Sequence, residues 1–263
     1  LLPLILVALV FLHLVALHHV GSNNPDGIDI YDHVDEDGNP LDGIPFHPYY
    51  TVHDLVGVCG FLIIYLGIVF FAPTFGGIFL EKDNFAPANA LQTPTDIVPL
   101  WYFTPFYSIL RASTDSLLQY LSYGTVAVTL GILALSKFQL KTKIMVAVGA
   151  VLLIAGFQYG SGKAWGVILM AASIVMFFLL PWLDRSPVKS IRYRSWPFKV
   201  ALAIFVVAFV ILGWLGMNSP TDAKTALAQV CTVIYFAFFM LMPWFTSIGK
   251  TKPVPERVVF EPH

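Results

Sequence analysis

TPTDIVPLWYFTPFYSILR, residues 93–111, passes from a polar loop into an aromatic, apolar segment and lies between long hydrophobic runs. Trp101, Tyr102 and Tyr107 carry rings with a polar edge, which sit well where water meets lipid. Pro99 and Pro105 restrict the backbone on both sides of them, so the rings can frame a fixed slot. Two readings are open: an interfacial aromatic belt of the kind many membrane proteins carry, or a site for a lipid-soluble quinone at a membrane surface.

Composition settles the broad class. Of 263 residues, 57% are hydrophobic and 12% charged, against about 45–50% and about 25% in soluble domains. With a mean hydropathy of +0.74, this is the make-up of a multi-pass membrane protein. The net charge of -1, with charges confined to loops, gives no basic patch for nucleic acid. Cys59 and Cys231 both lie in apolar runs, which leaves neither a disulfide framework nor a Cys-x-x-Cys-His attachment for haem. Any haem would have to be held by side chains such as His. The first residues, Leu1-Leu2-Pro3, lack the charged start of a signal peptide and read as if cut inside a helix.

Runs of about 20 apolar residues can cross the hydrocarbon core, and seven are expected. They cover roughly residues 1–19, 53–72, 103–136 with a break near Thr114 and Asp115, 144–160, 164–183, 197–216 and 225–247. The third is expected to enter the membrane only after about Leu117. If loop 20–52 is cytoplasmic, 11 of the 15 Lys and Arg residues fall on its side, leaving Lys82, Arg111, Lys163 and Lys224 opposite. That asymmetry predicts an outward-facing aromatic loop and a cytoplasmic C-terminus. The acidic run 26–42 dissents mildly, but acids count little in this rule. Its stretch DEDGNPLDG has turn chemistry and lacks the ligand alternation of a calcium loop, so a solvated surface insertion is expected.

His13 lies inside the apolar run LVALVFLHLVALHH, where an unpaired imidazole is costly. A hydrogen bond to a neighbouring helix or an axial bond to haem iron would each resolve it. His18 sits at the polar end of the same run, at headgroup depth, where a C-terminal His is also favoured by the helix dipole. Asp54 opens the second run on the same side, in FHPYYTVHDLVG. A His and a carboxylate at one interface could deliver two protons to a reduced quinone; Asp54 could equally be a helix N-terminal acid. On the outer side, Tyr102, Tyr107 and Asp96 are candidates to accept protons, with Arg111 as a snorkelling anchor being the plain alternative for that residue.

These motifs, in this order, resemble cytochrome b, the membrane subunit of ubiquinol:cytochrome c oxidoreductase, over most of the chain. LLPLILVALVFLHLVALHHVGSNNP resembles the end of that family's fourth helix and the turn after it, and IPFHPYYTVHD the start of the fifth. FAPANALQTPTDIVPLWYFTPFYSILRA resembles the loop carrying the Pro-Glu-Trp-Tyr signature, and GVILMAASIVMFFLLPWLDRSPVKSIRYR resembles proteobacterial versions. The resemblance implies an all-α transmembrane bundle of about seven spans that lacks the family's first three helices. Residues 1–19 would be the end of a haem-binding helix and residues 20–263 the C-terminal region, with an extra hairpin around 117–160. It implies His13 as an axial ligand to the iron of a non-covalent haem b, two haems being held by the complete subunit. Ser22, with His18 and Asp54, would line a quinone-reduction site. Pro99, Leu100, Trp101, Tyr102, Phe103 and Tyr107 would line a quinol-oxidation site for ubiquinol. Expected partners are a Rieske iron–sulfur protein, cytochrome c1, the N-terminal part of cytochrome b, the bilayer and a second copy of the complex, in a bacterial inner membrane.

Three departures stand out. Leu100 occupies the place of the family's Glu, and Asp96, the nearest acid in the loop, is the expected substitute. His53 replaces a common Lys beside Asp54, making that charge sensitive to pH near neutrality. One of the family's four haem-ligating positions is present, so the chain alone is not expected to be competent, whether it is a fragment or part of a split subunit. Two other classes compete: a transporter or channel lined by His13 and the aromatic loop, and a catalytically silent scaffold.

Overall fold

The computed structural model describes residues 1–80, 82–92 and 97–258, with the side chains of residues 82 and 83 excepted. Among these the secondary structure is helical, apart from one isolated bridge between Val34 and Pro40. Among the described residues seven helical spans are long and apolar enough to cross a membrane, in the places the hydrophobic runs predict, the span Gly162–Leu183 being composite. The chain divides into two compact units, residues 1–95, 188–193 and 253–263, and residues 96–187 and 194–252.

In the first unit, α1 (Leu2–Val20) and α2 (Tyr49–Phe71) are apolar on all faces, and neither contains a buried residue. The loop after α1 is built by polar contacts. The Asn24 side chain accepts N–H bonds from Asp26, Gly27 and Ile28 at 3.1, 2.9 and 3.2 Å, an Asx turn. Asp26 is buried and accepts from the Tyr193 hydroxyl at 2.6 Å and from Arg192 at 3.4 Å. Gly27, at φ 73°, runs so close to Ser190 that a Cβ would lie 3.0 Å from its nitrogen. In the acidic stretch, Asp35 accepts N–H bonds from Asp37 at 3.0 Å and Asn39 at 2.7 Å, closing the predicted turn. Those bonds, with the Asn39 backbone first, hold its carboxyl below the usual carboxylate range.

The second unit has a packed interior. It comprises α3 (Thr104–Ala112), α4 (Asp115–Leu135), α5 (Leu140–Tyr159), α6 (Gly162–Val175), the short α7 (Leu180–Leu183), α8 (Trp196–Gly216) and α9 (Asp222–Phe245). A 3-10 turn, Met176–Leu179, joins α6 to α7 where Pro181 interrupts the hydrogen-bond ladder. Side-chain caps start three of the helices, with Thr114, Ser161 and Thr221 accepting from the N–H groups of Leu117, Ala164 and Lys224.

Along α9 the residues Ala228, Cys231, Tyr235, Phe239, Met242 and Phe245 recur every three or four positions and are buried against Ala208, Leu212 and Leu215 of α8. Phe205 and Phe238 stack with ring centroids 4.4 Å apart, and the Tyr235 hydroxyl reaches the Ser173 carbonyl on α6 at 2.8 Å. Burying such a side chain from water is worth about 1.5–3 kcal/mol. Lipid is as apolar as Leu, so here close packing and interhelical hydrogen bonds do the holding.

Candidate functional site

The expected break near Thr114 is present, and it makes residues 104–112 a helix of their own. At about 1.5 Å per residue, the nine residues of α3 are too short to cross a core of about 30 Å. Instead α3 is docked. One face, Thr104, Pro105, Ser108, Ile109 and Ala112, is buried against α6, α8 and α9. Glycines make the approach possible. A Cβ at Gly216 would collide with the Thr104 carbonyl, one at Gly166 would lie 2.7 Å from the Leu110 carbonyl, and one at Gly162 would lie 2.7 Å from that of Ser113.

The aromatic turn is held at the N-terminus of this docked helix. The Phe103 N–H donates to the Leu100 carbonyl at 2.8 Å, and the Thr104 hydroxyl donates to the Trp101 carbonyl at 2.7 Å. Pro105 then sits in the first turn of α3, where its missing N–H costs nothing. The Trp101 and Tyr102 rings meet edge to face at 5.8 Å and are 69% and 58% exposed, so they form surface and not core. Leu100 is exposed as well, whereas Pro99, Phe103 and Tyr107 are half-buried. The Tyr107 hydroxyl reaches the Ile97 carbonyl at 3.5 Å, a weak bond. Asp96 lies outside the described residues.

Arg111 differs from the snorkelling anchor considered above. Its Nη2 donates to the carbonyls of Leu215 at 2.6 Å and Asn218 at 2.8 Å, capping the C-terminus of α8, and its guanidinium lies 4.9 Å from the centre of the Tyr107 ring. The buried Arg111 Nε lacks a partner among the described residues, and Ser108, Arg111, Lys224 and Thr225 are among the residues lining a cavity of about 10 Å3, the size of one water. The glycines and this cap went unnoticed in the sequence. The spacings Gly162-x3-Gly166 and Gly213-x2-Gly216 were the available signal for close helix approach.

In the first unit, His13 lies in the middle of α1 and is exposed on an apolar helix surface. His18 is in the last turn of α1, and Asp54 follows the first turn of α2. Among the described residues, none of His13, His18, Ser22 and Asp54 hydrogen-bonds to another. Ser22 lines a cavity of about 180 Å3 with Gly21, Asp29 and Lys189, and neither His18 nor Asp54 is among its lining residues.

Fold and site together define a multi-pass membrane protein, helical among the described residues, that carries an aromatic turn on a short docked helix. The family model described as "Cytochrome b(C-terminal)/b6/petD" matches residues 87–236, and the chain belongs to that family. It is 50% identical over 98% of its length to cytochrome b of Allochromatium vinosum, covering 53% of that protein. With cytochrome b of Rhodospirillum rubrum it shares 38% identity over 97% of its length and 49% of the relative. A chain of the solved structure "Hyperthermophilic respiratory Complex III" superposes with a TM-score of 0.66 and 30% identity, over 94% of this chain and 49% of that one. The chain thus spans about half the length of the curated relatives it matches.

Proposed function

We propose that this chain is the C-terminal part of the membrane subunit of a proton-translocating quinol:cytochrome c oxidoreductase, in a bacterial inner membrane. The observation that carries the proposal is the Pro99–Tyr102 turn, with Leu100, Trp101 and Tyr102 exposed, held at the start of α3 in its glycine cradle. In this reading Pro99, Leu100, Trp101, Tyr102, Phe103 and Tyr107 frame the quinol headgroup, and fixed rings lower the entropy lost on binding it. Tyr102 and Tyr107 orient the quinol hydroxyls, and Asp96, in place of the family's Glu, accepts a proton. At the other surface His18, Ser22 and Asp54 bind quinone and supply its protons.

His13 suits an axial ligand of haem b. Its imidazole is exposed on an apolar helix and has no hydrogen bond among the described residues, which in hydrocarbon demands a partner. When bound, haem b supplies one-electron transfer between the two quinone surfaces. A second axial ligand and the second haem of the complete subunit would come from the N-terminal part of cytochrome b. A Rieske iron–sulfur protein and cytochrome c1 are the proposed electron acceptors, within a homodimeric complex. Residues 1–19 are then the end of a haem-binding helix, and the α4–α5 hairpin, near the proposed 117–160, takes no part in the chemistry.

The test is a reduced-minus-oxidised optical spectrum of the native complex, with the mass of the subunit measured alongside. Two b-type haems support the reading, and their absence defeats it. For Asp96, the Asp96→Asn variant is expected to slow quinol oxidation and move its pH profile; an unchanged rate and profile would remove Asp96 from the mechanism.

A further inference from the structure

The small cavity beside Arg111 is walled by three helices. Ser108, Arg111 and Ala112 come from α3, Leu215 from α8, and Thr225 and Ala228 from α9. Ala112 and Ala228 are buried and small enough to leave the room, which at about 10 Å3 admits one water. Thr225 is held firmly at this wall. Its N–H donates to the Thr221 carbonyl at 2.8 Å, in the turn that the Thr221 side chain caps at the start of α9.

Arg111 is anchored at one end only. Both bonds to the α8 carbonyls come from Nη2, while the Tyr107 ring lies 4.9 Å from the guanidinium carbon. Two bonds to one nitrogen fix a point, and the guanidinium plane can still turn about it. Nε, buried and without a partner among the described residues, is the donor whose bonding would stop that turn. Leaving a buried, charged donor unpaired is costly, so an acceptor belongs in the cavity next to it. A buried water makes about three hydrogen bonds, and the hydroxyls of Ser108 and Thr225 in the lining supply the other two. Neither hydroxyl is used in another hydrogen bond among the described residues. Lys224 lines the cavity as well, but its Nζ donates to the Ser219 carbonyl at 3.3 Å and lies 5.7 Å from the centre of the Trp214 ring. Chloride is larger than water, and the Arg111 charge already meets two carbonyls at the negative end of α8.

We propose that Thr225 of α9 is a positioning residue for the quinol-oxidation site: through one buried water it fixes the plane of the Arg111 guanidinium, and through that plane the Tyr107 ring. The inference rests on the proposed place of Tyr107 at that site. Thr225 itself touches no substrate. A cation held against a ring face sets where the ring lies, and a ring that is set beforehand loses less freedom when the quinol headgroup arrives. The effect therefore falls on binding, and the reacting groups are left as they were.

The test is Thr225→Val in the intact complex, which keeps the shape of the side chain and removes its hydroxyl. The KM for quinol is expected to rise about threefold to tenfold with kcat changed by less than about twofold, and Thr225→Ser to restore it. A merely structural role would instead lower the thermal midpoint and the turnover per assembled complex, without rescue by Ser. A density map of the unaltered complex gives a readout independent of any variant, with an ordered water expected within about 3.2 Å of both Arg111 Nε and the Thr225 hydroxyl. An unfilled cavity, a halide marked there by the anomalous signal of bromide, or an unchanged KM in Thr225→Val would each overturn the proposal. Absence of quinol oxidation by the unaltered complex would defeat the proposed function instead, with the water still read from the map.

Discussion

Helices α1 and α9 are both long enough to span a membrane, yet α1 buries none of its residues and α9 buries seven. Their compositions reflect this. Apart from its His residues, α1 is almost wholly aliphatic, as a helix facing only apolar surroundings can be. α9 carries Gln229, Thr232 and Tyr235, and each has a partner: Gln229 donates to Thr114 at 2.8 Å, Thr232 to the Ala228 carbonyl at 2.7 Å, and Tyr235 to Ser173. Polar residues in a span mark where protein meets protein, because only there can hydrogen bonds be arranged for them. An apolar surface by itself does not distinguish a lipid-facing helix from one awaiting a cofactor, and His13 is the one side chain that does so within α1.

The sharpest way to break this contrast is to add the same side chain to a glycine in each region. Gly216→Leu drives a side chain into the Thr104 carbonyl, and overpacking of this kind costs about 1–3 kcal/mol or more. We expect α3 to be displaced and the proposed quinol oxidation to be lost, measured as turnover per assembled complex. Gly57→Leu on α2, with nothing within 4 Å of its Cβ, is expected to leave the stability of the subunit unchanged.

Arg111→Met is the next largest. It strips the donor from the carbonyls of buried Leu215 and half-buried Asn218, and leaving a buried group unpaired costs about 1–3 kcal/mol. A lower midpoint in thermal unfolding of the complex is expected, together with, if the proposed site is correct, a higher KM for quinol as the Tyr107 ring loses its support.

The smallest effect lies in the first unit, where Arg257 donates to Asp42 at 2.8 Å and holds its carboxyl below the ordinary value of 3.8. A carboxyl depressed in the folded state adds stability above its unfolded pKa, and that stability is lost as pH falls through the lower, folded value. Limited proteolysis of the C-terminal tail should therefore stay slow at neutral pH and rise only below about pH 4. In Asp42→Asn the tail should be cut faster at neutral pH, with no further rise in acid.

Much of the architecture was legible beforehand. All seven spans, the break before Asp115 and the turn in DEDGNP follow from the length of apolar runs, capping residues and turn chemistry, which are local properties. Arg111 shows where local reading stops. Its sequence context, the end of an apolar helix, fits an anchor, and only the return of α8 more than 100 residues later supplies the carbonyls that it caps. Asp26 is similar: one acid among seven in its loop, it is set apart by the approach of Arg192 and Tyr193.

Sequence by itself determined that this chain crosses a membrane several times, where it does so, and that His13 and the aromatic turn are the residues out of place in an inert bundle. Hydrocarbon forces that outcome, because a backbone within it must satisfy its own hydrogen bonds as helix. Tertiary structure alone decided that residues 104–112 are docked in a cradle of glycines, that Arg111 caps a distant helix, and that Tyr235 of α9 reaches the Ser173 carbonyl of α6. Those features depend on which helix faces meet, and a glycine or a proline has the same letters whether or not a neighbour stands against it.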